Sequence, residues 1–67
     1  MTAESASKVA QVMLRQNERS GTFEVNFTDI ETSRFMAEAF RQLGCKAEVI
    51  DEAWCLVKVT LPEKASA

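Results

Sequence analysis

The chain has no histidine, two cysteines, two glycines and one proline among its 67 residues, and each shortage removes a kind of chemistry. Without histidine there is no Ser-His or Cys-His pair to generate a nucleophile. Zinc sites take three or four Cys, His or carboxylate ligands at close spacing, whereas Cys45 and Cys55 stand apart in the sequence. No metal and no other cofactor is therefore expected. Gly21 and Gly44, the two glycines, fall where helices end, so no glycine-rich loop is left to cradle a phosphate. The ten Asp and Glu residues include no pair sharing an apolar face, the arrangement that acid–base catalysis needs. The chain reads as a non-enzyme.

Long hydrophobic runs are missing too: none approaches the ~18 residues that a membrane span takes. The opening MTAESASK has neither the basic start nor the apolar stretch of a secretory leader. Together with cysteines too few for a disulfide framework, this predicts a cytoplasmic protein with no membrane partner.

What is present is the balance of a folded domain. Hydrophobic residues make up 46% and charged residues 27%, well away from the composition of disordered chains. Residues 1–67 read as a single domain, near the lower size at which a chain buries enough surface to fold alone. A partner protein, or a second copy in a homodimer, would add burial. The net charge of −2 disfavours nucleic acid, which is usually bound by a basic surface.

Hydrophobic spacing predicts a helix over 5–19, with Ala6, Val9, Ala10 and Met13 on one face, Ser5 as its cap and Ser20-Gly21 as its exit. The period then switches from helical to alternating. In TFEVNFT, Phe23, Val25 and Phe27 alternate with Glu24 and Asn26, which predicts a strand over 22–28. A second helix over 29–43 carries a Thr28/Glu31 capping box, an apolar face of Met36, Phe40 and Leu43, and Gly44 after its last turn. Strands at 45–50 and 54–61 form a hairpin stopped by Pro62, with a flexible tail over 62–67. A three-residue turn, Asp51-Glu52-Ala53, sorts the faces cleanly. It sets Val49 opposite Cys55, Ala47 opposite Val57 and Cys45 opposite Val59.

The order α-β-α-β-β, with a right-handed crossover before the hairpin, predicts an α+β fold: a two-layer sandwich whose three-stranded sheet has its last strand in the middle and both helices on one face. The covered face runs from Phe23, Val25 and Phe27 through Cys45, Ala47 and Val49 to Cys55, Val57, Val59 and Leu61. The other face is polar except at the hairpin end, where Ile50, Trp54 and Leu56 gather beside Glu48 and Lys58. An aromatic-anchored cluster on a polar face is a candidate contact surface for another protein or for a second copy.

The succession of a helix, SGTFEVNFTD, a helix ending in FRQLGCKAEVI and the closing AWCLVKVTLPEK, spanning about Val9 to Lys64, resembles the TusA/SirA-like family of sulfur-carrier proteins. That resemblance implies a small two-layer α/β fold. The family carries its persulfide on a Cys-Pro-x-Pro motif ahead of the first helix, and Met1 to Ala6 holds neither cysteine nor proline. None of the family's functional residues is therefore carried over, and the likeness implies a binding module without the transfer chemistry.

Two further readings stay open. Lys8, Arg15 and Arg19 make a basic stripe along the first helix that could touch the phosphates of a nucleic acid. Cys45 or Cys55 could serve a degenerate thiol or sulfur carrier. In the expected hairpin, however, the two thiols share the core face roughly 13 Å apart, too far for a disulfide and consistent with small apolar filling.

Overall fold

The computed structural model describes residues 2–62 of the chain. Five elements follow in the order α1 (Ala3–Gln16), β1 (Thr22–Asn26), α2 (Ile30–Gln42), β2 (Lys46–Asp51) and β3 (Leu56–Thr60). The sheet has the order β1-β3-β2 and is antiparallel throughout, so the last strand is central. This is the expected α+β two-layer sandwich. α2 lies against β2 and β3, and α1 packs against α2.

Element ends differ from the sequence reading for reasons visible in their caps. α1 begins two residues before Ser5 because Thr2 is extended and its hydroxyl accepts the Ser5 N–H at 3.1 Å. It stops at Gln16 rather than 19: the Asn17 side chain donates to the Met13 carbonyl at 2.8 Å, and 17–20 form a turn. α2 is capped by Asp29, not by Thr28; the Asp29 Oδ1 accepts the Thr32 N–H at 2.7 Å. At the far end Gly44 takes φ +93°, and the N–H of Cys45 reaches back to the Phe40 carbonyl at 3.0 Å. The strands run 22–26, 46–51 and 56–60, each differing by one or more residues from the expected spans. The expected tail 62–67 falls, beyond Pro62, outside the described residues.

One core joins the layers. Ala6 and Ala10 of α1, Met36, Ala37, Ala39 and Phe40 of α2, and Ala47, Val57 and Val59 of the sheet are buried together with Cys45. Phe40 meets Phe23 edge-to-face with ring centroids 5.8 Å apart. Ser33 is buried with them, satisfied by backbone carbonyls of Asp29 and Cys55, each 3.0 Å from its hydroxyl.

The hairpin register is corrected by two residues. Val49 lies opposite Val57 and Ala47 opposite Val59, with a bulge at Ile50 before Asp51 meets Leu56. Because side chains alternate with period two, a slip of two leaves residues 46–49 and 57–60 on their expected faces, up to the bulge. Trp54 and Cys55 leave the strand and join Glu52 and Ala53 in a four-residue turn.

Candidate functional site

That turn is tied down on three sides. Within it, Asp51 Oδ1 accepts the Trp54 N–H at 3.2 Å and the Glu52 carbonyl accepts the Cys55 N–H at 3.3 Å. From β1, the Asn26 side-chain amide donates to the Trp54 carbonyl at 3.0 Å and the Phe27 N–H to the Cys55 carbonyl at 3.0 Å. From α2, Ser33 reaches the same Cys55 carbonyl, and Arg34 lies 3.9 Å from Glu52. Cys55 itself adopts φ +52°, which reverses the chain into β3.

The Trp54 side chain, by contrast, is 71% exposed. Ile50, at the bulge, is 44% exposed, and Leu56 is half-buried between Asn26 and Asp51 in the sheet register. The three-residue turn expected from the sequence would have set Ile50 across from Trp54; instead Trp54 belongs to the turn and Ile50 is the residue the bulge leaves over. The polar rim is assembled: Glu24, Lys58 and Glu48 lie in one row across all three strands, with the lysine in the middle. Charges of opposite sign on neighbouring strands support each other, and the row sits on the face away from the helices.

The basic stripe is not brought together. Lys8 lies 3.7 Å from Glu4, one turn back on α1. Arg15 stands in the last turn of the helix, while Arg19 is beyond its end, in the 17–20 turn. The cysteines part company as well. Cys45, just ahead of β2, is 6% exposed, and burial raises its thiol pKa, which holds it in the neutral, unreactive form. Cys55 is half-buried in the turn, and both thiols are free.

Residues that the sequence reading passed over turn out to organise the site. Asn26, Asp51 and Ser33 hold the turn, and two of them had a signal. Asp51 precedes Trp54 by three residues, the spacing at which a capping Asp side chain takes a backbone N–H. Ser33 stands at helical spacing with Met36, Ala37 and Phe40 on the buried face. Asn26 gave none, because its partner lies 28 residues away.

Among the described residues no three potential ligands cluster for a metal ion, and no helix is long and apolar enough to cross a membrane. No family model, curated protein or solved structure matches the chain.

Proposed function

We propose that this chain is a small, non-catalytic interaction module that presents Trp54, with Ile50 and Leu56, to a larger protein as its adaptor, regulator or inhibitor. One observation carries the reading: the backbone of Trp54 is pinned by Asp51 and Asn26 while its indole stands in solvent. Exposing a Trp forfeits burial, and holding it in a fixed turn removes much of the ordering cost that binding otherwise meets. An exposed aromatic on a fixed stretch of backbone is the kind of anchor that dominates interface energetics. The partner should offer an apolar pocket for the indole, bordered by polar groups that answer Glu48 and Lys58.

The placements of the other candidates favour this surface. A nucleic-acid contact through α1 would have to work with Lys8 beside Glu4 and with Arg19 off the helix. A thiol carrier needs an exposed thiol with a lowered pKa, and Cys45 has the reverse.

The experiment is a paired capture from the native host using wild type and Trp54→Ala as baits, with circular dichroism to show that both are folded. A protein retained by wild type and lost by Trp54→Ala, then rebound in purified form with the same contrast, is the expected result. Equal retention by both baits overturns the reading.

A further inference from the structure

The sheet has two free edges, and they are finished differently. The Leu61 N–H donates to the Gly21 carbonyl at 2.8 Å and the Phe27 N–H to that of Cys55 at 3.0 Å, which sets the phase of the β1–β3 ladder. Phe23 and Val25 turn their peptide groups to β3, so Thr22, Glu24 and Asn26 turn theirs outward. By the same alternation Ala47 and Val49 point outward on β2. There the Arg41 Nε donates to the Ala47 carbonyl at 2.8 Å, and the bulge at Ile50 bends the end of the strand. Both devices obstruct pairing along an edge.

β1 has neither. Among the described residues no hydrogen bond reaches the outward N–H and C=O groups of Thr22, Glu24 or Asn26. The core-facing side chains of β1, and that of Phe27 just after it, are also less covered than those of β3: Phe23, Val25 and Phe27 are half-buried where Val57 and Val59 are fully buried. The arginine flank of α2 reaches the edge of β2, and α2 in turn carries α1. On that helix Val9 and Val12 stay exposed.

We propose that β1 pairs antiparallel with β1 of a second copy of this chain, joining two sheets into one of six strands about a two-fold axis. Outward groups must meet outward groups, so the axis can pass through Phe23, Glu24 or Val25. At Glu24 it would set two carboxylates directly opposite, which repels. At Phe23 it would match Val25 with the partner's Gly21 and leave Phe27 without a neighbour. At Val25 it sets Glu24 against the partner's Asn26, Phe23 against the partner's Phe27, and Val25 against itself. That register is self-complementary, keeps the apolar face continuous and leaves all four helices on one side. It favours a second copy over a foreign strand, because the same five residues satisfy both halves. It also adds cover where a 67-residue chain has least, in a core in which five of the ten buried apolar residues are alanines. The pairing does not depend on the role assigned to Trp54.

Sedimentation of the full chain across a range of concentrations is the test. Wild type is expected to run at twice its 7.5 kDa monomer mass. Glu24→Pro removes an N–H that bonds nothing within the described chain, and edge strands tolerate proline, so it should halve the mass with an unchanged circular dichroism spectrum. Under copper phenanthroline, Val25→Cys should give an interchain disulfide above the wild-type background, since residues facing across a non-hydrogen-bonded pair have Cα atoms about 4.5 Å apart. Phe23→Cys, which faces the partner's Phe27, should not. A wild type that is monomeric at every concentration overturns the proposal. So does a dimer that survives Glu24→Pro and is lost in Trp54→Ala, which would place the contact at the hairpin tip. If Glu24→Pro fails to fold, the cross-linking decides: preference for Val25→Cys over Phe23→Cys supports the pairing, and equal or reversed yields sink it.

Discussion

Cys55 shows how one residue can decide where a hairpin closes. Its φ of +52° is in the left-handed region, where an L-residue sits at a cost of about 1–2 kcal/mol, least for Asn and Asp and most for β-branched side chains. The carbonyl that results from this conformation accepts from both Phe27 and Ser33, so the strain is offset by contacts to β1 and α2. Nothing in the sequence marks the position: Cys55 follows a Trp and precedes an apolar run, and reads as the first turn of a strand's alternation. The competing signal was Asp51, whose side chain takes the Trp54 N–H and curls the backbone before the strand starts. Replacing Cys55 with Val should therefore lower stability to urea by up to about 1 kcal/mol, whereas Cys55→Asn should hold at or slightly above wild type. Equal midpoints for the two variants would mean that the left-handed conformation is not what closes the hairpin.

At the scale of the element, both helices and all three strands were legible because their apolar periods differ: three-and-four spacing in 6–13 and 36–43, and alternation in 23–27. Their caps were less so. Thr28 and Asp29 both offer a side-chain acceptor to the start of α2, and the choice falls to Asp29 because that residue takes the extended backbone, φ −152° and ψ 167°. Its carboxyl pKa lies below the ordinary carboxylate value, chiefly through the Thr32 backbone N–H and with help from the Thr32 hydroxyl. The sign of the linkage follows. A carboxyl whose pKa is lower in the folded than in the unfolded chain contributes stability above the unfolded value, near 4, and that contribution fades as the pH falls through the folded value. Asp29→Asn keeps a side-chain oxygen for the cap and cannot ionise. Between pH 7 and pH 3 the urea midpoint of wild type should drop further than that of Asp29→Asn. Parallel drops would show that the cap carboxylate adds no pH dependence to α2.

Across the whole molecule, the two-layer plan could be read from the sequence because each element has one apolar face, and those faces already set Phe40 toward the core and Trp54 away from it. What the sequence did not show is that Trp54 stands in the turn rather than in the strand. Phe40 is fully buried, faces Phe23 edge-to-face and sits among alanines and valines too small to close over its absence. Deleting a buried Phe side chain costs about 3–5 kcal/mol. A chain of this length holds roughly 3–10 kcal/mol in all, at 0.05–0.15 kcal/mol per residue, so Phe40→Ala should remove about a third of the stability or more and lower the urea midpoint steeply. Trp54→Ala removes a larger side chain from a position that is 71% exposed, and should change stability by no more than about 0.5 kcal/mol. Urea titration of the two variants compares them directly. If Trp54→Ala proved the more damaging, the indole would be holding the fold together rather than standing ready for a partner, and the hairpin tip would lose its claim to be the working surface.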